Sequence, residues 1–154
     1  MRIEIIDDNN YKVFINDLYK EKIDINNKDE LGKYIKKIIL KLKKIYNIML
    51  QGLYEVHVYI VKFIGIILEI KNIDSYLSKT VDLKIVVHND EEMFLKVFRY
   101  ESVEKYNHLK YLNNCFYLDV NELKECDVYN LIENSRLIYG DELIELKNKW
   151  INLT

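Results

Sequence analysis

Three histidines and two cysteines are the side chains of this sequence best suited to hold a metal or attack an electrophile: His57, His88, His108, Cys115 and Cys126. None stands in the CxxC or HxxxH spacing that closes a ligand set within one turn or helix. A strand histidine facing solvent is the ordinary expectation, and a metal pair arises only if a sheet brings His57 and His88 side by side. A cysteine nucleophile needs an imidazole beside it and a group orienting that base, and nothing local supplies either. The carboxylate pairs Asp7-Asp8, Glu91-Glu92 and Asp141-Glu142 fall at turns and helix starts, where acidic side chains complement the backbone dipole. Gly32, Gly52, Gly65 and Gly140 are isolated, so no phosphate-cradling loop is written here. The expectation is a chain with no catalytic residues, no metal and no cofactor, hence not an enzyme.

Charge is the next candidate for chemistry. Lys28 to Tyr46 holds seven lysines against Asp29 and Glu30, whereas Leu112 to Glu145 holds eight acidic residues against Lys124 and Arg136. Lys33, Lys36, Lys37, Lys41 and Lys44, near Tyr34 and Tyr46, are the residues that could meet a nucleic-acid backbone. Arginine, which suits bidentate phosphate and base contacts, occurs only as Arg2, Arg99 and Arg136, and the chain carries a net charge of −2. Two solvated helix faces of opposite sign explain the same pattern, so nucleic acid is the secondary expectation.

The elements that must position these residues follow from periodicity. Arg2 to Ile6 and Tyr11 to Ile15 flank the turn formers Asp7-Asp8-Asn9-Asn10, an opening β-hairpin. Asn27 and Glu30 form a capping box. Behind it Leu31, Tyr34, Ile35, Ile38, Ile39, Leu42, Ile45 and Tyr46 recur at three- and four-residue steps, the stripe of an amphipathic helix. Glu55 to Val61 and Ile64 to Lys71 read as a second hairpin, and the polar run 72–79 as a short linker. A second half opens with strands at Val81 to His88 and Met93 to Phe98, then a short helix capped by Ser102 and ending near Asn107. Asn113-Asn114 is a turn before a strand at Cys115 to Val120. Cys126 to Ile138 suits a helix through Val128, Leu131, Ile132 and Ser135, or a strand over Val128 to Ile132. A terminal amphipathic helix runs from Asp141 to Trp150.

The fold class expected is α+β, in two small halves, each an antiparallel sheet with helices packed on one face: 1–74 and 80–154, with a single merged core as the alternative. At 154 residues, 49% apolar and 31% charged, the chain buries roughly 70% of its unfolded surface without staples. Two cysteines out of CxxC register point to reduced thiols and a cytoplasmic setting. The most apolar stretch, Val56 to Ile70, is interrupted by His57, Lys62 and Glu69 and is shorter than the ~20 residues of a membrane span. The opening residues carry Glu4, Asp7 and Asp8 where a signal peptide carries a basic flank.

In this order the motifs resemble the MecA adaptor family of Firmicutes. Met1-Arg2-Ile3-Glu4-Ile5-Ile6, then Asn9 and Lys12-Val13-Phe14-Ile15, are similar to the family's opening. Gln51-Gly52-Leu53-Tyr54-Glu55-Val56-His57-Val58, through Gly65 into Ile66-Ile67-Leu68-Glu69-Ile70, resembles the hairpin closing its substrate-binding domain. The run from Phe94 to Glu104 resembles the strand and helix start of its unfoldase-binding domain. Phe116 to Val120 is similar to that domain's aromatic strand, and Leu131 to Ile138 with Leu143 to Trp150 to its last strand and helix.

The resemblance implies a shortened or divergent adaptor that recruits client proteins to a ClpC-type Hsp100 unfoldase, with no membrane partner. The thirteen tyrosines suit recognition surfaces, offering contact area at low entropic cost. Glu133, Arg136, Tyr139 and Trp150 are the expected partner-binding residues, with core anchoring as the other role for Trp150. The alternatives are a nucleic-acid binder using the lysine helix and a small immunity or antitoxin-type protein.

Overall fold

The fold was examined in a computed structural model, which describes residues 2–15, 24, 26–47, 52–74, 81–89 and 91–152. It is α+β and divides into two compact units, residues 1–60 with 65–89 and residues 61–64 with 90–154.

In the first unit β1 (Arg2–Asp7) and β2 (Asn10–Ile15) form the expected hairpin, Ile3 opposite Val13. Asp7 accepts from the Asn9 amide at 2.8 Å and from the Asn10 side chain at 2.7 Å, which closes the turn. Asn27 then starts α1 (Lys28–Tyr46) by accepting from the amides of Asp29 and Glu30, and Asn47, in the left-handed region, ends it. The buried stripe is Leu31, Ile35, Ile38, Ile39 and Leu42; Ile45 and Tyr46, expected to continue it, are exposed. β3 (Gly52–Val61) and β4 (Gly65–Asp74) flank the turn at Lys62 to Ile64.

β5 (Val81–His88) moves the expected boundary. It pairs with β3 in parallel, from Gly52 opposite Val81 to Tyr59 opposite His88, so the sheet runs β1-β2-β4-β3-β5 and the unit extends through Asn89. The physical reason is alternation: Val81, Leu83, Ile85 and Val87 continue the apolar surface under α1 that Tyr54, Val56, Val58, Leu68 and Ile70 begin. Of the expected linker, residues 75–79 lie outside the described ones, as do Met1 and Gln51.

The second unit is built on β6 (Phe94–Val97), β7 (Lys110–Leu112), β8 (Cys115–Asp119), β9 (Ser135–Ile138) and β10 (Ile151–Asn152), ordered β10-β7-β8-β6-β9 and antiparallel throughout. Asn113 and Asn114 both have positive φ, the two-residue turn whose twist suits a hairpin. α2 (Glu125–Ile132) and then β9 divide the ambiguous stretch between helix and strand. The helix expected after Ser102 is a 3₁₀ turn, Tyr100–Ser102, because Val103 alone of that segment is buried and one inward residue makes no helical stripe.

α3 (Gly140–Lys147) sets Leu143 on Phe94, Tyr117 and Ile138. α2 lies against β6 and β9 with Leu131 beside Val97, whose side chain leaves the strand on the face opposite Phe94. Helices thus cover both faces of the second sheet, where the first is covered by α1 on one.

Asn27→Ala should cost about 1 kcal/mol and Asn27→Gly only a few tenths, read from urea unfolding, because glycine lets water reach the first-turn amides. Equal losses would show that the missing side-chain acceptor alone sets the cost, and not the access of water to the amides.

Candidate functional site

The face of the first sheet turned away from α1 carries the more polar half of the alternation on β3 and β5, beside apolar residues such as Phe14 and Ile67. Leu53, Glu55, His57 and Tyr59 on β3 stand in register with Asp82, Lys84, Val86 and His88 on β5. β2 and β4 add the pair Lys12 and Glu69, 3.7 Å apart, and Arg2 of β1 lies 4.4 Å over the Phe14 ring. Exposure falls along β3, from Glu55 and His57, whose side chains are 28% and 29% exposed, to Tyr59 at 8%.

Parallel pairing brings together what the sequence holds 31 positions apart. His57 Nδ1 is 2.7 Å from His88 Nε2, and His57 Nε2 is 2.5 Å from Glu55 Oε1. The His88 ring lies flat on Tyr59, centroids 4.3 Å apart and planes within 3°. The His57 and His88 rings are within 22° of coplanar with centroids 5.0 Å apart, so they meet edge to edge through those two nitrogens. The hydrogen bond from His57 holds the Glu55 carboxyl below its ordinary value, with the charges of Lys84 and Lys71 acting the same way. An ionised Glu55 accepts from His57 Nε2–H; with His57 neutral, its Nδ1 accepts from His88 Nε2–H, and with His57 protonated, Nδ1 donates to His88. Glu55, His57 and His88 thus form a hydrogen-bonded chain crossing from β3 to β5. Sequence reading named the two histidines but missed Glu55 and Tyr59; period-two alternation puts Glu55, His57 and Tyr59 on one face of β3, and the parallel register brings His88 to them.

The other expected residues are more dispersed. Lys33, Lys36, Lys37, Lys41 and Lys44 are all exposed on α1, with Leu40 among them at 63% exposure. In the second unit Glu133 and Arg136 are exposed, and Arg136 pairs with Glu142 at 3.2 Å. Tyr139 is buried, and the half-buried Trp150 ring packs 4.8 Å from Phe94 and 5.5 Å from Tyr117, an anchoring position. Cys115 and Cys126 are free thiols.

A cleft of about 200 Å³ in the same unit is lined by Val97, Ser102, Lys105, Tyr106, Asn130, Leu131 and Asn134. Burial, then its bond to Asp127 at 2.8 Å, pushes the Tyr106 phenol far up, so it acts there as a neutral donor. Among the described residues no three His, Cys, Asp or Glu side chains converge as a ligand set, and no helix is long and apolar enough to cross a membrane.

The Glu55 carboxyl should titrate below the ordinary glutamate range by side-chain carboxyl NMR, and His57→Ala should raise it. Because the folded-state value is depressed, the stability this group lends is present above the unfolded value and is lost as pH falls through the folded one. An unmoved Glu55 titration in His57→Ala would rule out that hydrogen bond.

Comparisons with protein-family models, with curated proteins and with solved structures find no match to this chain.

Proposed function

We propose that the chain is a non-enzymatic adaptor that recruits client proteins, and that its machine is a ClpC-type Hsp100 unfoldase. The observation that carries the reading is the division into two compact α+β units, each with a buried cluster of its own. A protein that joins two others needs two surfaces on scaffolds that stand by themselves, and this architecture provides them. The order of motifs along the sequence, which resembles that of the MecA family, supports the same reading.

In the first unit the sheet presents β1 as an edge, and its Ile5 and Ile6 are 60% and 57% exposed. An extended client segment can pair with such an edge by its main chain. In the second unit Glu133 and Arg136 are the accessible members of the expected partner site. The setting consistent with this role is the cytoplasm.

Tagged chain in a nuclease-treated Firmicute lysate should recover an Hsp100 ATPase, and Glu133→Ala with Arg136→Ala should weaken recovery at least tenfold while the unfolding midpoint stays. Loss of the exposed Arg136 to Glu142 pair costs less than about 1 kcal/mol, so a folding defect does not confuse the result. Recovery of no ATPase would overturn the adaptor reading, and undiminished recovery by the double variant would remove those residues from it.

One observation favours the nucleic-acid reading: five lysines share the exposed arc of α1, and no acidic residue follows Glu30 in that helix. On this reading anisotropy with a labelled oligonucleotide shows affinity falling steeply with salt, and Lys37→Gln with Lys41→Gln lowers the slope of log K against log salt by about 2. A flat salt dependence would sink it.

A further inference from the structure

We propose that His57 Nδ1 and His88 Nε2 form a two-histidine site for a late first-row divalent cation of the Ni2+ or Cu2+ class, with Glu55 orienting His57 and water completing the coordination. The first support is position. Both rings stand on paired strands, held by main-chain pairing from Gly52 and Val81 to Tyr59 and His88, so the ligands sit on rigid elements. The second is the carboxylate behind the ligand. Glu55 Oε1 lies 2.5 Å from His57 Nε2, and a carboxylate on the far nitrogen of an imidazole fixes the tautomer and raises the basicity of the metal-facing nitrogen. Tyr59, stacked on His88, holds the plane of the second ring.

Separation decides which cation. Two nitrogens bound at about 2.05 Å stand about 2.9 Å apart at right angles and about 3.4 Å apart in a tetrahedron. The observed 2.7 Å needs the smaller change in separation to reach the right-angle spacing, about 0.2 Å against about 0.7 Å, and in either geometry each ring must turn off the line the two nitrogens now share. Right-angle pairs belong to the square-planar and octahedral coordination of Cu2+ and Ni2+, whereas Zn2+ prefers the tetrahedron. On binding, His57 keeps its proton on Nε2, and His88 moves its proton from Nε2 to Nδ1, so the neutral pair releases none. The negative Glu55 carboxylate favours the incoming cation, while Lys84 and Lys71, the cations acting on Glu55, weigh against it.

The test uses the untagged full chain with Cys115 and Cys126 alkylated, titrated with Ni2+ by calorimetry. The expected result is one Ni2+ per chain with a Kd in the micromolar range. His57→Ala and His88→Ala should each weaken binding at least tenfold, Glu55→Gln should weaken it 10- to 100-fold, and His108→Ala, in the other unit, should leave it unchanged. Saturating Ni2+ should also raise the melting temperature of the parent chain, and not that of His88→Ala, because the ion binds only the folded pair. That shift reads the site even where a histidine variant is destabilised. Absence of saturable uptake below about 1 mM, or equal uptake by His57→Ala and His88→Ala, would overturn the site.

Discussion

The first unit depends on one junction, the parallel pairing of β3 with β5 over eight residue pairs. A parallel ladder needs its second strand to return in the same direction, so the chain between must cross the sheet. Here the crossing includes β4, which fills the place between β2 and β3. The junction then serves both faces at once. Toward α1 it brings Val81, Leu83, Ile85 and Val87 to widen the apolar floor under Leu31, Ile35, Ile39 and Leu42. Away from α1 it brings His88 onto Tyr59 and against His57. A slip of one residue would send the histidine to the apolar face and a valine to the polar one, so the register is fixed by the cost of burying an imidazole without a partner.

That junction also shows where sequence reading stops. The opening hairpin, α1 with its Asn27 cap, and the second hairpin were legible, because turn residues and periodicity act over a few positions. The strand at Val81–His88 was legible as a strand with the correct apolar face. Its neighbour was not, since alternation says which side chains share a face and nothing about which strand lies alongside. Hence the boundary fell after 74 in expectation and after 89 in the structure. The segment Cys126 to Ile138 was ambiguous for another reason: it holds a helix of eight residues and a strand of four, each too short for its period to dominate. Ile151–Asn152 is shorter still and is defined by its pairing with β7.

The two units solve the same problem with different economy. The first buries one sheet face under a single long helix, and on the other it mixes charged and aromatic side chains with the buried aliphatics Val61 and Ile67. The second sandwiches a smaller sheet between α2 and α3, so that Trp150, Phe94 and Tyr117 close one layer as a cluster of tilted rings. Tilted rings at about 5 Å place positive edges over negative faces and add specificity beyond buried area. This is why the aromatic tail, which by type suits a partner surface, is spent largely on packing, while Glu133 and Arg136 stay exposed.

The polar sheet face of the first unit is therefore the surface least explained by folding. A strand face in water is satisfied by any hydrophilic residue, and Lys84, Asp82 or Lys12 meet that need without a hydrogen-bonded chain. Two imidazoles meeting through their nitrogens, one braced by a carboxylate and the other by an aromatic ring, cost rotamer freedom at four side chains. Solubility alone does not require that order. An arrangement that fixes the tautomer of one imidazole and the plane of the next has its use where a proton or a cation is to be held in one place, and the strand pairing beneath supplies the rigidity to hold it.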